Sequence, residues 1–331
     1  MSSIDGDSRL PSLDGLRAIS ILLVLAAHML ALGPKWLQLN ATAGAMGMSM
    51  FFALSGFLIV SALKRNADVA EFVVRRFTRI IPLAYAYVLV LLAAQIISPG
   101  TAAWTMSFFL NYAHAHMGPD NGHFWSLCVE MQFYSAIALT ILLIGPKGLW
   151  IVWPACLAVT ALRISEGAYI SIVTHLRVDE ILAGGCVATL LDRPRKTATK
   201  LSLLLACGAA ILWAGACHPK AGELQYLRPY TSAALLAVVV AYSGSLLHVV
   251  LSSSPLRYVA AISYALYVIH PLTIHGWMNT GSTFERYAFK RPLSMAATFI
   301  AAHLSTFYWE SLWQRAGKRW IALRRLRLGY S

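Results

Sequence analysis

The chain has 331 residues, 58% of them hydrophobic and only 12% charged, with a formal net charge of +13. A soluble domain carries about a quarter charged residues, so this composition excludes an ordinary water-soluble fold and indicates a polytopic membrane protein. The basic excess does not point to nucleic acid, because it gathers in particular loops, as the positive-inside rule and attraction to anionic lipid explain.

Residues 1–10 are polar, carry Asp5 and Asp7 and lack a basic n-region, so no cleavable signal peptide is expected there. The first apolar run, 16–33, contains Arg17 and His28, and ionisable groups inside a membrane helix are costly enough to suggest function. At about 1.5 Å per residue they lie about 16 Å apart along the axis, half of a hydrocarbon core of about 30 Å. One side chain would sit at a membrane face and the other deep inside. Ser12 or Asp14 is placed to cap this helix, and Asp14 fits a cap and a functional acid alike.

The second run, 43–64, holds Ser55 and Gly56, small residues that read first as helix-packing positions. The segment 71–82 then brings Arg75, Arg76 and Arg79 to one face of the membrane, with Pro82 expected to open the third run, 80–98. Guanidinium groups bind phosphate in forked geometry, and lipid headgroups are the competing ligand. The stretch 104–115 is too short and too polar for a crossing and reads as a re-entrant or interfacial piece.

The fourth run, 124–144, opens on Phe124-Trp125-Ser126-Leu127 and places Glu130 and Gln132 about two turns in. A buried carboxylate needs a partner or a proton. Glu130 reaches a depth similar to that of His28, so a pair in which Glu130 orients the imidazole is expected. Further runs cover 148–165, 176–192, 200–217, 231–251, 257–278 and 292–314. Arg177, Asp179 and Glu180 head the sixth of the ten runs. His270 lies deep in the ninth, with a kink expected at Pro271, and Glu310 lies in the last. The five cysteines all fall in apolar segments without a C-x-x-C pair, which suggests neither zinc nor a disulfide framework.

Ten crossings with both termini cytoplasmic put 19 of the 27 basic residues inside, and an eleventh crossing at 104–115 would reverse every later loop. The expected architecture is an all-α integral membrane bundle of ten helices. It comprises a polar N-terminus (1–10), a membrane domain (11–314) and a basic cytoplasmic tail (315–331). No internal repeat is visible, which weighs against a transporter built on inverted halves.

In order and spacing, these motifs resemble the acyltransferase 3 family of integral membrane acyltransferases. The residues that carry the resemblance are 12–17 with His28, 51–58, 75–82, Phe124 to Glu130, 177–179, 262–267 with His270, and Glu310. It implies transfer of an acyl group, often acetyl, from cytoplasmic acyl-CoA to a hydroxyl of a glycan, glycolipid or related acceptor, in the cell (inner) membrane and without a metal. His28, Arg17 and Glu130 are the expected catalytic residues; Arg75, Arg76, Arg79 and Arg17 would hold the CoA phosphates. Asp14, Trp125, Ser126, Asp179, His270 and Glu310 would line the acceptor side. Many members carry a second acid after the Glu; here that residue is Met131, so its role does not transfer. Some members add an extracytoplasmic hydrolase-like domain; none is expected within this chain, so such a step would be supplied in trans or absent. His28 as general base and His28 as acyl carrier are both open chemistries. The rival readings are a transporter or flippase with His28 and Glu130 as a polar relay, and an envelope scaffold whose buried charges only lock helices together.

Overall fold

The computed structural model describes residues 10–191, 196–197, 200–243, 246–274 and 277–329. Residues 1–9, and Arg193 and Arg195 of the expected cytoplasmic loop, lie outside the described residues. Among the described residues the fold is all-helical apart from one parallel pair of two-residue strands, Lys196–Thr197 and Tyr242–Ser243. Among the described residues, five helical stretches are long and apolar enough to cross a membrane: Pro11–Met29, Lys35–Arg65, Val69–Ala93, Phe124–Ile144 and Pro146–Ser165. The remaining helices are shorter, less apolar or more charged. The segment 104–115 is short and broken, as expected, into the end of helix Pro99–Met106 and two 3-10 turns.

Helix α1 (Pro11–Met29) begins with Pro at its first position, where the missing N–H costs nothing, and Leu10 is its uncapped N-cap. Ser12 and Asp14 therefore sit inside the first turn rather than capping it. Its far end is clamped by Asn40, whose side-chain amide donates to the carbonyls of Ala27 (2.8 Å) and Leu30 (2.7 Å). Those are orphan acceptors of a last helical turn. Helix α2 (Leu39–Arg65) packs against α1 along its length.

Helix α3 (Val69–Ala93) starts earlier than its apolar run. Asp68 caps it by accepting from the Glu71 N–H at 3.0 Å, so the arginine segment belongs to the same helix and Pro82 lies in its interior. The expectation that Pro82 opens a helix is thus corrected: the cap at Asp68, fourteen residues upstream, starts the helix that runs through it.

After α4 (Pro99–Met106), helix α5 (Phe124–Ile144) leads into α6 (Val152–Ser165) and α7 (Asp179–Leu190). Helices α8 (Lys200–Ala216), α9 (Arg228–Ala241), α10 (Leu246–Leu251) and α11 (Ser254–Ile274) follow. Helices α12 (Arg291–Leu304) and α13 (Ser311–Arg327) join through a π-helical stretch, Ser305–Glu310, so the helix runs unbroken into the basic residues expected as a tail. Arg324 and Arg325 return to pair with Asp68 and Glu71, bracing α13 against the start of α3.

The centre is α1 and α2, with α11 on one side and α7 on the other. Helices α2 and α7 cross in backbone contact: a Cβ on Gly56 would sit 1.8 Å from the Ile181 carbonyl oxygen, and one on Gly184 would sit 1.9 Å from that of Ala53. The packing role expected for Gly56 holds.

Candidate active site

Five helices enclose a cavity with about 680 Å³ of non-atom space, mouth included. Helix α1 contributes Arg17, α2 Phe51, Phe52 and Ser55, α3 Arg76 and Arg79, α5 Ser126, Glu130 and Tyr134, and α11 Tyr264 and Tyr267. Three guanidiniums against one carboxylate give the lining a positive balance suited to a polyanion.

The three arginines of α3 do not face one way. Arg75 is exposed and bonded to Glu71 one turn earlier, Nη2 to Oε1 at 2.7 Å and Nε to Oε1 at 3.0 Å. Arg76 and Arg79 turn into the cavity, where the Arg76 guanidinium lies 5.4 Å from the Tyr134 ring centroid. An acid four residues before a basic residue captures it across a helical turn, and the other two arginines face inward.

Glu130 accepts from Ser55 Oγ at 2.6 Å and from the Tyr134 hydroxyl. Ser55 is therefore a cavity residue as well as a packing one. The expected Glu130–His28 pair does not form: the partner of His28 is His270, with His28 Nδ1 3.0 Å from His270 Nε2. The rise of α1 carries His28 beyond the cavity, while Ser55 and Tyr134, one on the facing helix and one a turn along α5, reach the carboxylate first.

At the other end of the cavity Ser126 Oγ and the Tyr267 hydroxyl are 2.5 Å apart, and Tyr267 donates to the His123 carbonyl at 2.6 Å. Behind them His28, His123 and His270 cluster. The His28 and His270 rings have centroids 5.0 Å apart and planes within 5°, and His123 stands edge-on to His270 at 5.5 Å. His270 is buried, whereas His28 is exposed at the end of α1. His123 and Tyr267 were not singled out from sequence. Their signals were there: His123 immediately precedes the Phe-Trp-Ser-Leu stretch, and Tyr267 lies one turn before His270.

The remaining expected residues fall elsewhere. Trp125 packs edge-on to Phe52 at 5.7 Å, with the Arg177 guanidinium 5.2 Å from its ring centroid. Asp179 is fully buried and bound by Arg163 Nη1 at 2.5 Å, while Glu180 takes Arg228 at 2.5 Å and Arg177 at 3.2 Å. Asp179 does not line the cavity; its partners make it part of an ion-pair cluster joining α6, α7 and α9. Glu310 accepts from Ser305 and Thr306 within its own helix, at 3.0 and 3.2 Å. Asp14 occupies the first turn of α1. Gln132 ties α5 to the Phe108 carbonyl (2.7 Å) and to Thr174 (2.5 Å), a bracing role.

Residues 10–309 match the acyltransferase domain model of the acyltransferase 3 type. The chain is 28% identical to the peptidoglycan O-acetyltransferase OatA of Listeria monocytogenes, over 91% of this chain and 55% of that protein. It is also 28% identical to YrhL of Bacillus subtilis, provisionally named for the same activity, over 62% of this chain and 33% of that one. It thus spans about half or less of the length of these relatives. No solved structure matches.

Proposed function

Because the chain belongs to the acyltransferase 3 family, and so is an acyltransferase of non-aminoacyl groups, we propose that it moves an acetyl group from acetyl-CoA to a hydroxyl of a cell-envelope glycan. Peptidoglycan sugars are the first acceptor to try, by the names of the relatives. In this reading ten crossings place both termini in the cytoplasm of a multi-pass inner-membrane protein, with Arg17, Arg76 and Arg79 at the cytoplasmic side.

The observation that carries the reading is the arrangement along α1. Arg17 joins Arg76 and Arg79 in one positive cavity, and three turns further along the same helix His28 meets His270 beyond the cavity's other end. The CoA phosphates suit the arginine end, because forked guanidinium bonds match phosphate oxygens. The cavity wall past Glu130 and Tyr134 to Ser126 and Tyr267 gives the extended arm of the substrate a track towards the histidines. The acceptor hydroxyl gives its proton to His28 as its oxygen attacks the thioester carbonyl. The new C–O bond forms, the C–S bond breaks, and the proton passes from His28 to the departing thiolate. In the covalent variant the His28 ring attacks the thioester and expels the thiolate; the hydroxyl oxygen then takes the acetyl group as the N–acyl bond breaks, and its proton ends on the thiolate.

The test is acetyl-CoA binding and turnover by purified protein in nanodiscs. His28→Ala should bind acetyl-CoA as the wild type does and lose transfer by about 10³-fold or more. Full transfer by that variant removes His28 from the chemistry, and a folded wild type that binds no acetyl-CoA removes the donor.

A further inference from the structure

His270 Nδ1 lies 2.7 Å from the backbone carbonyl oxygen of Tyr267, three residues earlier on α11. That oxygen would ordinarily accept from the N–H of residue 271, but residue 271 is Pro and has none. The proline frees the acceptor, and the imidazole takes it. A carbonyl only accepts, so Nδ1 of His270 carries a proton.

The rest follows by counting protons. His270 is 1% exposed, and its ring nitrogens meet backbone carbonyls and His28, none of them a carboxylate. A buried cation without a counter-charge is expensive, so the ring is neutral and its Nε2 is an acceptor. The atom 3.0 Å away, His28 Nδ1, must therefore donate. The two ring planes are parallel within 5°, and the nitrogens are much closer than the 5.0 Å between centroids. The rings thus meet edge to edge, the geometry of an N–H···N bond rather than of a face stack.

We propose that His270 is a positioning residue that holds His28 as its Nδ1–H tautomer, so that the lone pair which meets the acceptor hydroxyl is on Nε2, and that Pro271 in turn fixes His270. The sequence Tyr267-x-x-His270-Pro271 is then a tautomer switch set in one position by the chain itself. The inference rests on His28 acting in acyl transfer only for its catalytic consequence; the tautomer itself is a property of the resting protein.

Nitrogen-15 NMR of the full chain in nanodiscs, labelled at histidine, tests it. The His28 signals are those lost in His28→Gln. In the wild type they should show a protonated Nδ1 and an unprotonated Nε2. His270→Gln, whose amide oxygen still accepts, should keep that pattern; His270→Leu should lose it. Pro271→Ala, which returns an N–H to the Tyr267 carbonyl, should mix the two tautomers. A wild-type His28 protonated on Nε2, alone or together with Nδ1, overturns the proposal whether or not the sample turns over. In transfer from acetyl-CoA to peptidoglycan fragments, His270→Leu should lower kcat about 10²-fold with KM for acetyl-CoA unchanged, and His270→Gln should recover most of it. An inactive His28→Ala beside a His270→Leu of wild-type kcat overturns the role of His270 alone. A fully active His28→Ala overturns the reading of His28 and leaves the spectra to decide the tautomer.

Discussion

Glu71 holds Arg75 across one turn of α3, with its Oε1 2.7 Å from Arg75 Nη2, and the same carboxylate receives Arg325 from α13 at 2.7 Å. Neighbouring arginines on one helix thereby meet different surroundings. Arg75→Ala should leave the KM for acetyl-CoA within about two-fold of wild type, because its bond is to an acid and partly solvated. Arg76→Ala and Arg79→Ala each remove a charged donor from the cavity, worth about 1.5–3 kcal/mol, and should raise KM about 10- to 100-fold. Steady-state kinetics on the three variants checks this, and equal effects at all three would show that they act as one patch.

Glu130 is bound by Ser55 and Tyr134, and His28 by His270. Glu130→Gln keeps the shape and an acceptor oxygen, so its loss in kcat should be near ten-fold, well short of the 10³-fold expected at His28. Comparing kcat of the two variants decides the matter. Equal losses would mean that the carboxylate acts on the histidine after all.

Asp179 and Arg163 are both fully buried and 2.5 Å apart. Removing one partner leaves an uncompensated buried charge, so Asp179→Ala should destabilise by about 3–5 kcal/mol. Replacing both with apolar residues of similar volume should recover most of that. Thermal unfolding in detergent measures it; a variant that stays stable and only raises KM for the acceptor would return Asp179 to the substrate site.

Gly184 meets the Ala53 carbonyl, and Gly208 on α8 has open space around it. Gly184→Ala forces α2 and α7 apart and should cost about 1–3 kcal/mol. Gly208→Ala should stabilise by about 0.5–1 kcal/mol through helix propensity. Melting temperatures of the two variants should therefore move in opposite directions.

The all-helical class and the charged residues of the cavity were legible in the sequence, because a charge inside an apolar run is visible without coordinates. Arg17, Arg76, Arg79, Ser126 and Glu130 all line the cavity. What the sequence hid was pairing. The Glu130–His28 and His28–His270 partnerships are equally allowed by depth alone, and only the crossing of α1 with α11 selects the second. The start of α3 was missed because Asp68, a polar cap, lies outside the apolar window that marked the helix. Asp179 looked like a site residue because buried ion pairs and functional acids have the same signature in one dimension.

The crossing of Gly56 and Gly184 also bears on how ligands get in. Two backbones meet there in direct contact, and Ser55, beside Gly56, is part of the cavity lining, so that wall is packed tightly on α7. The facing wall is made of α3 and α11, each missing a helical hydrogen bond at Pro82 or Pro271 and joined at cavity level by the Tyr264 hydroxyl on the Ile80 carbonyl at 2.5 Å. The α3–α11 side is thus the wall of the cavity that carries both prolines, and the Tyr264–Ile80 bond ties its two helices together.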